Sequence, residues 1–285
     1  MRIKFEGKIV AKTPIFHGGD EKTGSTPILR TITIYDSKEN RNYILPYISG
    51  NSIRGKLRRL IMHDFFTRLE YEPDLKLHHI FYSGGVLETT EKMYGNVDLE
   101  LRKNIRDFII PLSLFGASVG NQVLTGKLQV GHIFPVCKEY AGFLPEEFRK
   151  LEASKKSVRL FTDDSFITRR DDMNVERDVD EQAVQMKVDY ECFIPGTIFY
   201  HWFALDYPTE LEMSCFGHMI SLFRETPFLG GRSSQGDGEV EFEYTPEIPD
   251  ENKYLEFLKE NKEDIKKVLD DIKLRFTSMK VPKND

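Results

Sequence analysis

Cysteine is scarce in this 285-residue chain: Cys137, Cys192 and Cys215 are too few and too scattered for a disulfide framework. That deficit points to a reducing, cytoplasmic setting. Tryptophan occurs once, but 21 Phe and 12 Tyr supply bulk for a core. No apolar run approaches the ~20 residues that span a bilayer, so no membrane partner is expected. The opening MRIKFEGKIVAKTPIF alternates like a strand and lacks the apolar centre of a signal peptide. Repeats and low-complexity segments are absent. The last deficit is local. From Ser49 to Met62 there is no acid at all, in a chain whose net charge is -6.

That acid-free stretch, ISGNSIRGKLRRL, reads as a turn entering a helix. Asn51 and Ser52 are good N-cap residues, and Ile53, Leu57, Leu60 and Ile61 share one face at helical spacing. Arg54 and Arg58 flank the apolar stripe on one side, Lys56 and Arg59 on the other. Cations at a helix start oppose the macrodipole, so an anion from outside the chain is the expected compensation. A plain solvated face would mix signs to gain i,i+4 pairs. Gly50 and Gly55 would let a backbone approach closely.

Elsewhere, residues 2–12, ILRTITIYD, KLQVGHIFPV and VDYECFIPGTIFYHWFAL read as strands, and EMSCFGHMISLFRE as a helix. Residues of about 70–110 form an insertion with helical content, broken at Gly84 and Gly85. The polar stretch of about 155–190 is too charged for a core and reads as a protruding hairpin. Beyond Pro246 and Pro249, Tyr254, Leu258, Ile265, Val268 and Ile272 mark a final amphipathic helix. Strand-helix-strand, excursion, strand-helix-strand predicts an α+β fold of ferredoxin type. One domain over 1–245 and a C-terminal helix within 250–285 are expected.

The second constellation is Gly230-Gly231-Arg232-Ser233-Ser234-Gln235-Gly236-Asp237-Gly238. It is neither a P-loop nor a dinucleotide fingerprint, so no cofactor is expected. It reads either as a simple turn or as a loop that meets phosphates through its amides and Arg232. Cys215 and His218 have zinc-like spacing, with His78, His79, Cys137 and Cys192 as further candidates. Their place in an apolar run favours a buried role instead, so no metal is expected. His17, beside Gly18 and Gly19, is a candidate base whose commoner role is loop hydrogen bonding.

PYISGNSIRGKLRRL with the distal GGRSSQGDGEVEF resembles the RAMP superfamily of CRISPR-associated proteins, specifically the subunit that coats guide RNA in multi-subunit effectors of type III ancestry. TPIFHGGD, the turn Tyr47 to Ser52, LFGAS at Leu114 to Ser118, and KVDYECFIPGTIFYHWFAL with Gly196 and Phe199 follow in the family's order. The resemblance implies a modified RNA-recognition palm with helical insertions, a β-hairpin thumb and a C-terminal helix. It implies RNA contacts at Ser49, Asn51, Ser52, Arg54, Lys56, Arg58, Arg59, Gly230, Gly231, Arg232, Ser233 and Ser234. Arg169 and Arg170 would add charge at the thumb, with Phe166 or Met173 as an apolar wedge. Partners would be guide RNA (crRNA), a complementary target RNA, copies of the chain head to tail, and other effector subunits.

RNA-cutting members of that family carry an aspartate two residues before the proline of a segment that reads Ser25-Thr26-Pro27-Ile28-Leu29-Arg30 here. Ser25 stands in its place, and a hydroxyl does not replace a carboxylate that deprotonates a 2′-OH or holds a metal. The expectation is therefore a non-catalytic scaffold, with cleavage by a separate nuclease. Type IV-like and type VII-like systems both match. The alternative is an endoribonuclease that cuts at regular intervals, with Asp20 or Asp36 taking over.

Overall fold

The computed structural model describes residues 1–23, 26–37, 39–85, 98–119, 122–170 and 185–277. In chain order, the first strands are β1 (Arg2–Ala11), β2 (Gly18–Thr23), β3 (Thr26–Leu29), β4 (Thr31–Asp36) and β5 (Arg41–Pro46). Helix α1 (Gly50–Leu69) follows, then α2 (Leu75–His78), a π-helical turn over His79–Ser83, α3 (Leu99–Phe108) and α4 (Ile110–Phe115). Next come β6 (Gly116–Val119), β7 (Gln122–Thr125), β8 (Leu128–Val130), β9 (Phe134–Pro135) and α5 (Glu146–Arg149). The chain continues with β10 (Thr162–Arg170), β11 (Gln185–Phe193), β12 (Ile198–Asp206), α6 (Glu210–Glu225), β13 (Val240–Thr245), α7 (Asn252–Glu260) and α8 (Lys262–Thr277).

The main sheet has the order β13-β1-β12-β8, every neighbour antiparallel, with β9 also pairing with β12. With α1 between β1 and β8, and α6 between β12 and β13, this is the ferredoxin-type arrangement the strand-helix pattern predicts. Alternation in β1 sends Phe5 and Ile9 to one face, where they meet Phe203 and Phe199 of β12. Both helices cover that face. From α1 alone, Ile53, Leu57, Ile61, Met62, Phe65, Phe66 and Leu69 are buried, each worth roughly 1.5–3 kcal/mol of transfer energy. Helix α6 starts in a capping box between Thr209 and Glu212.

The opposite sheet face is also closed. Tyr200 and Trp202 carry the segment of Val136, Tyr140, Leu144, Phe148 and Val158, a second apolar core. The rest of that face pairs charges. Lys4 donates to Glu6 at 2.7 Å, Lys12 bridges Glu241 at 3.2 Å, and Lys8 bridges Glu243 at 4.0 Å.

Six expectations need adjustment. Asn51 and Ser52 lie inside α1, whose N-cap residue is Ser49. VDYECFIPGTIFYHWFAL is β11 and β12, separated by a turn in which Gly196 has φ +87°. ILRTITIYD is two strands, because β3 pairs with β2 while β4 turns away to pair with β5. KLQVGHIFPV breaks at Gly131 and His132, which pack against the start of α1. Residues 152–160 hold two short 3-10 turns that serve the second core, so the hairpin proper is β10 with β11, from Thr162↔Phe193 outward. The final helix is two, α7 and α8, and their Tyr254, Leu258, Ile265, Leu269 and Ile272 join the main core.

Candidate functional site

Three loops from distant parts of the chain meet at one end of the sheet. After β1 the chain passes between two partners, Ile15 bridging Phe193 and Phe16 bridging Gly231. The next residue, His17, accepts the backbone N–H of Ser49 on its Nε2 at 3.2 Å. His132 accepts the N–H of Gly50 on its Nδ1 at 3.0 Å. A helix start leaves N–H groups without intrahelical partners, and two imidazoles satisfy them here. A ring nitrogen accepts only when unprotonated. Burial, with the Arg30 guanidinium nearby, holds His17 down at about 4, and burial lowers His132 as well. His17 therefore serves as a loop acceptor and is too weak a base to take a proton near neutrality.

These contacts correct the expectation of an open amide cradle. The Ser49 and Gly50 amides face histidines, and Ser52 N–H returns to the Ser49 carbonyl at 3.0 Å. Ser49 itself is buried, and its hydroxyl makes no capping bond. The close approach at Gly50 is to the chain itself, since a Cβ there would lie 2.5 Å from the Gly131 carbonyl oxygen. Asn51 is exposed and Ser52 half-buried.

The four cations divide into two pairs. Arg58 is buried at 6% exposure, which corrects the expectation that it faces outward. Its guanidinium donates to the carbonyls of Phe81 and Gly116, both at 2.6 Å. Arg54 is half-buried and donates to the Phe115 carbonyl at 2.5 Å. These acceptors lie at the ends of the π turn and of α4, where the helix dipole leaves partial negative charge. Burial lowers both arginines, and Arg58 falls to about 10, with Arg54 contributing. Both still carry their charge at pH 7. The LFGAS motif is thus fastened to α1 by Arg54 and Arg58. Arg59 is exposed, and Lys56 stands over the rings of Phe228 (5.6 Å) and Phe223 (5.9 Å).

Phe228 leads directly into the glycine loop, which is closed by Leu229 N–H to the Gly238 carbonyl at 2.7 Å. Gly230 and Gly231 are exposed, and Gly231 N–H donates to the Phe16 carbonyl at 2.8 Å. Gly230 has φ +78°, and a Cβ there would run into the Phe16 carbonyl. Arg232 lies 3.9 Å from the Tyr190 ring centroid and 5.0 Å from that of Phe16. Ser233 and Ser234 are exposed in the 3-10 turn that follows. The HGG loop, the start of α1 and the glycine loop therefore form one continuous surface. Its accessible cations are Lys56, Arg59 and Arg232, joined by Arg30. His132, Tyr190 and Phe16 were not singled out from the sequence, because single aromatic and His residues within strands carry no local signal.

At the hairpin, Phe166 is 61% exposed with Lys187 Nζ 4.7 Å from its ring centroid. Met173 and the side chains of Arg169 and Arg170 lie outside the described residues, as do Ser25 and the Asp20 side chain. Asp36 closes the β4–β5 hairpin, accepting Glu39 N–H at 3.3 Å. His218 faces Asp64 at 2.8 Å and Glu251 at 3.0 Å with its two ring nitrogens, while Cys215 is fully buried. Among the described residues, no group of three or more His, Cys, Asp or Glu is arranged to hold a metal ion. Among them, too, no helix is long and apolar enough to cross a membrane.

No family model matches the sequence, and no curated protein does. Among solved structures, a chain of a "Type IV-B CRISPR Complex" superposes with a TM-score of 0.61 at 23% identity, over 86% of this chain and 91% of that one. At that identity the likeness is one of fold, extending over nearly the whole α+β palm.

Proposed function

We propose that this chain is a non-catalytic backbone subunit of a CRISPR effector, polymerising along guide RNA and presenting it to a complementary target RNA. The observation that carries this reading is the convergence of the HGG loop, the α1 start and the glycine loop, with Arg232 over Phe16, Lys56 over Phe228 and Arg59 next to Lys56. A subunit that accepts any guide must grip phosphate and A-form shape, which glycines and unpaired cations suit. In an RNA-recognition module the open sheet face stacks bases on aromatic residues. Here that face is filled by the second core and by Lys–Glu pairs, so RNA is assigned to the loop surface at the sheet's end. The fold likeness to a chain of a type IV-B CRISPR complex supports membership of such an assembly.

Head-to-tail copies, other effector subunits and a separate nuclease are the partners. Heterologous contacts that do not close on themselves give filaments whose length the RNA limits. A His17 with pKa near 4 and Ser25 in place of an acid both support a scaffold that does not cut.

The test is sedimentation and gel shift with mixed-sequence oligoribonucleotides of increasing length, with and without divalent metal. Protein copies per RNA should rise stepwise with length, and the RNA should stay whole. A monomer that ignores RNA even in dilute buffer overturns the scaffold. Regularly spaced products made by this chain alone would establish the endoribonuclease instead.

A further inference from the structure

Arg232 is held more firmly than a phosphate-neutralising side chain needs to be. Its backbone sits at φ +67°, a left-handed conformation that residues other than glycine rarely adopt. Four bonds hold the loop there: Gly231 N–H to Phe16 O, Gln235 N–H to Arg232 O, and Gly238 N–H to Pro14 O, with Leu229 N–H to Gly238 O closing the base. The guanidinium fits a corner made by Tyr190 and Phe16, whose rings meet edge to face at 5.4 Å and 76°. Tyr190 is itself buried and tied by its hydroxyl to the buried Asp237 at 2.8 Å. No acceptor among the described residues takes the Arg232 N–H groups. A strained backbone, a stacked inner face and an unused outer side together describe a pre-set platform.

We infer that the outer face of Arg232 is a stacking platform for one nucleobase of the bound RNA, with Tyr190 as its fixed backing. This rests on the RNA-binding reading above and deepens it. Stacking on a guanidinium plane tolerates every base, because each has a π-face, so contact with a base costs no freedom of guide sequence. Lysine supplies the same charge but no plane.

The test compares wild type, Arg232→Lys and Arg232→Gly in binding oligoribonucleotides that carry 2-aminopurine at successive positions. Glycine suits the positive φ and offsets the lost ring contacts, so Arg232→Gly should melt close to the wild-type temperature, which removes misfolding as an explanation. Wild type should quench the probe at particular positions. Arg232→Lys should lose that quenching and bind at least about fivefold more weakly, with the slope of affinity against salt unchanged. Arg232→Gly should lose the quenching and lower the slope by ~0.7 as well. An Arg232→Lys protein with wild-type affinity and quenching overturns the platform and leaves the RNA-binding role standing. A wild-type protein that binds no RNA defeats the role itself.

Discussion

His17 Nε2 accepts the Ser49 amide at 3.2 Å, and this one bond ties the loop after the first strand to the first turn of α1. Burial of this ring, with Arg30 beside it, sets a pH dependence. His17 titrates at about 4 in the folded chain and near 6.5 when unfolded. Below 6.5 the unfolded chain takes up a proton that the folded one refuses, so stability falls as pH drops from 6.5 towards 4. His201, fully buried and lowered to about 3, acts in the same direction. Urea midpoints measured across this range should show the decline. His17→Gln should shallow it while leaving part of the slope to His201. An unchanged slope would mean that His17 is protonated in the fold.

The two pairs of cations on α1 should separate in mutagenesis. Arg58→Ala leaves the Phe81 and Gly116 carbonyls without their donor, at about 1–3 kcal/mol for each. The loss should appear in thermal melts before any RNA is added. Lys56→Ala with Arg59→Ala should leave the melt nearly unchanged and lower the salt slope of RNA binding by ~1.4. The reverse pattern would place the RNA on the Arg58 side of the helix.

His218 should act with the opposite sign to His17. Burial opposes its charge, but Asp64 and Glu251 outweigh burial and raise its pKa. Its contribution is complete below 6.5 and fades as pH rises through the folded value. His218→Gln should destabilise the chain at pH 6 and matter less at pH 9. Equal losses at both would show a neutral imidazole between those acids.

Phe166 tests the hairpin. At 61% exposure it contributes little to the fold, so Phe166→Ala should change stability by no more than ~0.5 kcal/mol. If the hairpin wedges between bases of a neighbour's RNA, the variant should bind single strands normally and lose regular distortion of a guide–target duplex in chemical probing. An unaltered probing pattern would assign Phe166 to its own partner, Lys187.

Much of the palm was legible in the sequence because alternation and helical spacing record which face is buried. Strand β1 and helices α1 and α6 fall where those periods place them, while the hairpin was marked by its charge and begins later than that charge suggested. The role of Arg58 was not legible, for a definite reason. The absence of acids around it pointed to an outside anion, yet its partners are backbone carbonyls at helix ends. Every residue carries a carbonyl, so an acceptor of that kind leaves no trace in composition. The same holds for Gly131 and His132, which looked like mid-strand residues. Their break follows from a helix start 82 positions earlier, through the His132 bond to Gly50. Residue type pointed to Asn51 and Ser52 as caps of α1, but the helix starts earlier, at Ser49, whose amide is taken by a histidine from another loop.

The glycine loop has a further consequence for how the chain is tied together. Its anchor to Phe16 joins two residues more than two hundred positions apart, and β13 follows immediately after. The loop surface is therefore complete only when β13 is docked beside β1. Cutting the chain anywhere between them dismantles the loop surface as a whole, because neither half holds both ends of that anchor.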